Sequence, residues 1–88
     1  MASYKVRLQP SVEKDVRHIP RANRDRIFAR IKTLAANPLP AGALKLSGAE
    51  GLYRVRVGDY RIVYELDNAS KQVLVHYVRH RRDVYRRM

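Results

Sequence analysis

Apolar and polar positions alternate twice in the middle of the chain. Tyr53, Val55 and Val57 are separated by Arg54 and Arg56, and after Gly58-Asp59 the pattern resumes with Tyr60, Ile62 and Tyr64 around Arg61 and Val63. Side chains of a strand point alternately to its two faces, so each segment reads as a strand with one apolar side. Glycine at the first central position of a two-residue loop favours a type II′ turn and makes the pair a hairpin. The turn fixes the register: Val57 faces Tyr60, Arg56 faces Arg61, Val55 faces Ile62 and Arg54 faces Val63. Tyr53, Val55, Val57, Tyr60, Ile62 and Tyr64 then form a core face, and Arg54, Arg56 and Arg61 share the opposite one. Like charges directly opposed across two strands are destabilising. A hairpin that keeps such a pair points to an anionic ligand.

The flanking pattern predicts the other elements. Tyr4-Lys5-Val6-Arg7-Leu8 alternates as a half-buried strand, and Pro10 stops it. Ser11 is the expected N-cap of a short helix, with Glu13 and Asp15 in its first turn and Val12, Val16 and Ile19 as its apolar stripe. Pro20 is placed to open a second helix at its first position. Ile27, Phe28, Ile31, Leu34 and Ala35 form that helix's inner face, and Asn37-Pro38 ends it. Leu39–Gly51 reads as a connection in which Leu44 and Leu46 anchor against the core. After the hairpin, Asp67-Asn68-Ala69-Ser70 is turn material. Val73–Val78 is a third strand whose apolar residues occur at both parities, as expected of a central strand covered on both faces. Arg79–Met88 is expected to end in a short helix. The order β-α-α-β-β-β(-α) predicts a single α+β domain over residues 1–88, with a helical hairpin packed on one face of a mainly antiparallel sheet and a basic face left open.

Charge sharpens this picture. The 88 residues include 19 Lys and Arg against 8 Asp and Glu, a formal net charge of +11. Such an excess attracts polyanions, and arginine suits bidentate phosphate recognition and stacking on bases, so nucleic acid is the leading partner class. A solvated basic surface without a ligand is the plain alternative. The absence of cysteine excludes disulfides, a thiol nucleophile and thiolate metal sites. No apolar run approaches a membrane span and no signal-peptide pattern opens the chain, so no membrane partner and a cytoplasmic location are expected.

The chemistry open to these residues is narrow. The eight carboxylates are scattered, and His18, His76 and His80 have no metal-binding spacing, so neither a metal site nor another cofactor is expected. No glycine-rich phosphate loop and no supported nucleophilic serine is present. An arginine-rich, metal-free site with His80 and Tyr85 nearby in sequence remains. RNA carries its own nucleophile, the 2′-hydroxyl. Cutting it needs in-line positioning, charge stabilisation at the phosphate and proton transfer. Arginine serves the second need but stays protonated, so a histidine or tyrosine must move protons unless substrate or water does so.

Three blocks carry a resemblance: Leu46-Ser47-Gly48, the hairpin Leu52–Tyr64, and His80-Arg81-Arg82-Asp83-Val84-Tyr85. Together they resemble the RelE family of the RelE/ParE toxin superfamily. The resemblance implies the toxin of a type II toxin–antitoxin pair, a metal-independent endoribonuclease that cleaves mRNA in the ribosomal A site and leaves a 2′,3′-cyclic phosphate. It places the family's two basic positions of the first hairpin strand on Arg54 and Arg56 and its transition-state arginine on Arg61. A further family arginine falls on Arg79, with Arg81 the neighbouring alternative, and the C-terminal tyrosine falls on Tyr85. Well-known members carry lysine at the positions of Arg54 and Arg56, which turns attention to His80 as the proton carrier. The catalytic set expected is therefore Arg56, Arg61, Arg79, His80 and Tyr85, with Arg54, Arg81 and Arg82 holding mRNA phosphate or rRNA. The partners implied are the ribosome, mRNA and rRNA, an acidic amphipathic antitoxin, and operator DNA in complex with the pair. A gyrase inhibitor of the ParE type and a non-catalytic nucleic-acid-binding module are the alternatives.

Overall fold

The computed structural model describes residues 3–46 and 51–81. After β1 (Lys5–Leu8), Pro10 begins α1 (Pro10–Arg17) as well as ending the strand. Proline suits the first helical position, because the N–H it lacks has no partner within the helix there. Gln9 is thus the N-cap residue, without a side-chain capping bond, and Ser11 lies inside the helix instead of capping it. α2 (Arg21–Ala36) shifts the other way and by one residue: Pro20, expected at the first helical position, is the N-cap residue, and Asn37 closes the helix. Val12, Val16 and Ile19 are buried, as are Ile27, Ile31 and Leu34, with Phe28 packed at the margin of the core. Burying an aliphatic side chain of this kind contributes about 1.5–3 kcal/mol.

Both helices pack toward one face of a five-stranded sheet of order β1-β5-β4-β3-β2, built from β2 (Leu44–Lys45), β3 (Leu52–Val57), β4 (Tyr60–Asp67) and β5 (Gln72–His80) besides β1. β1 runs parallel to β5 and every other pairing is antiparallel. This is the expected α+β class with one strand more. β2 is a two-residue edge inside the stretch read as a connection, and it corrects the role given to Leu44. Leu44 pairs with Arg54, and directly opposed residues share a face, so Leu44 sits on the side away from the helices and is 51% exposed.

The β3–β4 hairpin has the expected register throughout, from Leu52 opposite Glu65 to Val57 opposite Tyr60. Gly58 has φ 59°, the left-handed value that a type II′ turn needs at its first central position. At the hairpin's open end Gly51 has φ 80°, and a Cβ there would lie 3.2 Å from the Leu66 carbonyl oxygen. The Leu66 N–H donates to the Gly51 carbonyl at 2.8 Å, so the two backbones meet where only glycine fits easily. Val55, Ile62 and Tyr64 are buried, with Tyr53, Val57 and Tyr60 packed around them. The Tyr64 hydroxyl donates to the Pro38 carbonyl at 2.6 Å, tying β4 to the end of α2. Burial pushes the Tyr64 phenol up to about 12, with Tyr53 adding to the rise and Arg30 opposing it.

β5 departs from simple alternation. Tyr64 pairs with Val75 but Val63 pairs with Tyr77, leaving His76 as the extra residue of a β-bulge. Val73, Val75 and Val78 consequently all face the helices and are buried. Apolar residues at both parities therefore mark a change of phase, which corrects the expectation of a strand covered on both faces. β5 is still an inner strand, and β4 is the middle one.

Candidate nucleic-acid interface

The bulge decides what stands on the open face. Had alternation continued unbroken from Val73 and Val75, Arg79 would point toward the helices. With the bulge, Arg79 lies opposite Arg61, and Arg61 lies opposite Arg56. Three arginines on three adjacent strands thus form one row on one face. Neighbouring strands are roughly 5 Å apart, and two unit charges about 6 Å apart repel by roughly 1–3 kcal/mol between the dielectric of water and that of a protein surface. A phosphate lying along the row reverses that sign through charge-assisted, bidentate hydrogen bonds.

The next row holds Arg54, Val63 and Tyr77. The Nε of Arg54 is buried and, among the described residues, has no hydrogen-bond partner. A buried donor without an acceptor is costly, and an acceptor on a ligand would satisfy it. The Arg79 guanidinium lies 4.2 Å from the centre of the Tyr77 ring, a cation–π contact that holds the arginine along the sheet. One row further, Glu65 Oε1 meets His76 Nε2 at 3.0 Å. The open face therefore grades from arginine near the hairpin turn to a carboxylate–imidazole pair toward the other end.

Of the residues expected at the site, Arg56, Arg61 and Arg79 are brought into one row, with Arg54 beside it. Arg79, not Arg81, completes the row. Arg81 is exposed just beyond β5, where its backbone N–H donates to the Asp59 carbonyl at 2.8 Å and fastens the strand end to the hairpin turn. His80 is placed elsewhere. It pairs with Tyr60 and meets that ring edge-on at 5.2 Å, so it projects from the helix side of β5. Arg82 and Tyr85, with the expected C-terminal helix, lie outside the described residues. Tyr77, His76 and Glu65 were not singled out for this face from the sequence. The signal available was the spacing of Val73, Val75 and Val78, which breaks a period of two.

A helical hairpin on one side of the sheet and an arginine row on the other define a small basic α+β protein. Residues 6–85 match the model of the ParE toxin of type II toxin–antitoxin systems, and the chain belongs to that family. Its relatives lie on the RelE side of the superfamily. Toxin RelE3 of Methanocaldococcus jannaschii is 32% identical, covering 92% of this chain and 94% of the relative. Toxin RelG of Mycobacterium tuberculosis is 30% identical, covering 96% and 98%. Among solved structures, the archaeal RelE–RelB complex from Pyrococcus horikoshii matches with a TM-score of 0.80 at 29% identity, over 92% of this chain and 97% of that one.

Proposed function

We propose that this toxin is a ribosome-dependent, metal-independent endoribonuclease that cuts mRNA in the A site and so stops translation. The observation that carries the reading is the row Arg56–Arg61–Arg79 on the sheet face that, among the described residues, carries no helix, with the buried Nε of Arg54 beside it. Arginine is the right residue for the charge part of the reaction. As the 2′-hydroxyl attacks phosphorus, negative charge builds on the non-bridging oxygens, and donors fixed in advance stabilise it. The bond to the 5′-oxygen breaks, leaving a 2′,3′-cyclic phosphate on one product and a 5′-hydroxyl on the other. The attacking hydroxyl loses a proton and the leaving oxygen gains one. Because His80 projects from the helix side, this reading gives the proton work to Tyr85, with Arg81 and Arg82 at the rRNA edge. Primer extension on mRNA from a translating extract tests it. Cuts clustered within A-site codons, abolished by Arg61→Ala, are expected, and growth arrest with intact transcripts would sink the reading.

A second reading has its own observation, the description of the matched family as ParE toxins. In that case the protein inhibits DNA gyrase by binding. A supercoiling assay separates the two, since loss of supercoiling with uncut mRNA belongs to the second alone. Both readings include a cognate antitoxin, which in the Pyrococcus horikoshii relative is RelB. The +11 charge calls for an acidic partner segment, and an apolar trough lined by Val6, Leu8, Phe28, Ile31, Lys32 and Ala35 offers a seat for its apolar side. The pair is proposed to act in the cytoplasm and, through the antitoxin, to occupy operator DNA.

A further inference from the structure

β1 accompanies β5 only as far as Leu8 opposite Val75, and the Gln9 N–H then donates to the Val75 carbonyl at 2.9 Å. Beyond that point β5 runs on without a strand along one edge, and backbone groups there need other partners. α1 supplies them from its side chains. Ser11 Oγ donates to the His76 carbonyl at 2.7 Å, and Asp15 Oδ2 accepts the Val78 N–H at 3.0 Å in a partly buried position. The two bonds bracket Tyr77 and span the exit from the bulge.

The second bond discriminates between registers. In an unbroken strand every second amide faces the same edge, so Val75 would be followed there by Tyr77 and Arg79. In the bulged strand the amide facing α1 is that of Val78, the one Asp15 accepts. A one-residue change of phase moves every later side chain to the other face. Without the bulge, Tyr77 and Arg79 would turn toward the helices, and Val78 and His80 toward the open face. The arginine row is three residues wide only in the bulged register.

We propose that Asp15 is a positioning residue for Arg79. By holding the Val78 amide, with Ser11 holding the His76 carbonyl, it keeps the bulge that turns Arg79 onto the phosphate-binding face. The role of Arg79 in this rests on the phosphate reading above, whereas the control of register does not. Ser11 and Asp15 thus make the first helix part of the site, although neither residue reaches the open face.

Because the chain has no cysteine, one introduced thiol reports on one position. Val73 and Val78 are 0% and 1% exposed, on the same face of β5 and on opposite sides of the bulge. The experiment measures labelling of Val73→Cys and Val78→Cys by a charged thiol reagent, well below the melting temperature. Each is made in the parent chain and combined with Asp15→Ala or Asp15→Asn. Asp15→Ala is expected to speed labelling at position 78 by roughly tenfold or more, the scale of one lost hydrogen bond to a charged acceptor, and to leave position 73 within about twofold. Asp15→Asn keeps an accepting oxygen with the same loss of charge, so it restores protection. No change at 78, an equal rise at both positions, or Asn behaving as Ala overturns the control of register. A second measurement follows binding of a short single-stranded RNA against salt. Arg79→Ala lowers the salt slope by about one, Asp15→Ala lowers it as much, and the double variant goes no further. A normal slope in Asp15→Ala beside a lowered one in Arg79→Ala overturns the positioning role. Equal slopes in the parent and Arg79→Ala overturn the phosphate reading instead, while the labelling result still decides the register.

Discussion

Arg61 and Ile62 are neighbours in β4 that face opposite sides of the sheet. Ile62 is fully buried among Val55, Val78 and the helices, and its register partners are apolar on both sides. Arg61 stands between Arg56 and Arg79, and its register partners carry its own charge. On the helix side each cross-strand pair lowers the free energy of the fold. Within the arginine row of the open side the pairs raise it, and the surplus on the first side offsets them. A row that opposes folding is worth keeping when the free energy is recovered on binding, which is how strained or repulsive groups cluster at functional sites.

The sharpest way to break this contrast is to truncate the two neighbours. Ile62→Ala is expected to lower stability by about 2–5 kcal/mol through lost burial and an incompletely closed cavity, read as a shift in denaturant midpoint. Arg61→Ala is expected to reduce A-site cleavage by roughly 10²–10³-fold, as when one fixed donor to a developing oxyanion is removed, with stability unchanged or slightly raised. If Arg61→Ala unfolds the protein instead, the division of labour between the faces is wrong.

Alkaline titration probes the helix side by itself. The Tyr64 phenol is pushed up to about 12 by its burial, above the ordinary value of 10.0. Below pH 10 the phenol is protonated whether or not the chain is folded, and stability is independent of it. Between pH 10 and 12 the unfolded chain loses the proton that the folded one keeps, so stability falls as pH rises, by at most about 2–3 kcal/mol. Tyr64→Phe should lack this fall. At neutral pH it should cost about 1 kcal/mol, because the Pro38 carbonyl loses its donor.

How much of each face could be read from the sequence follows from how local its causes are. The hairpin was legible, and with it Arg54, Arg56 and Arg61, because Gly58-Asp59 sets the register within a few residues. The helices were legible to within two positions. α1 starts two residues earlier than a cap at Ser11 implies, α2 starts one residue later than Pro20 at its first position implies, and Ser11, which looks like a cap, donates across to β5 instead. β2 escaped because two residues carry no periodicity, and because Leu44's face is set by its pairing with Arg54 and not by its hydrophobicity. The faces of Arg79 and His80 depend on the bulge, which α1 stabilises from more than sixty residues away in sequence. The spacing of Val73, Val75 and Val78 recorded that bulge. It resembles a strand buried on both sides until the partners are known.

Single arginine removals sharpen the comparison on the open side. Arg56→Ala should lower the salt slope of RNA binding by about one, as expected for loss of one phosphate contact. Lys14→Ala, a change on the exposed side of α1, should leave the slope within error. Equal losses from the two variants would mean that net charge, and not the row, attracts RNA.

The smallest effect concerns the end of the open face where the charge pattern reverses. Glu65 and His76 are partly exposed, and a pair of that kind contributes less than about 1 kcal/mol. Glu65→Gln should therefore cost little stability. Glu65 stands two rows from Arg61 on the same face, within reach of a strand of RNA that follows the arginines across the sheet. On the proposed RNA-binding reading, its carboxylate repels the backbone there and limits how far the polyanion extends. Glu65→Gln should tighten RNA binding by a few fold at low salt, with the difference vanishing as salt screens the field. Unchanged binding at low salt would confine the RNA to the arginine end of the sheet, and the Glu65–His76 pair would then be a brace for the bulge alone.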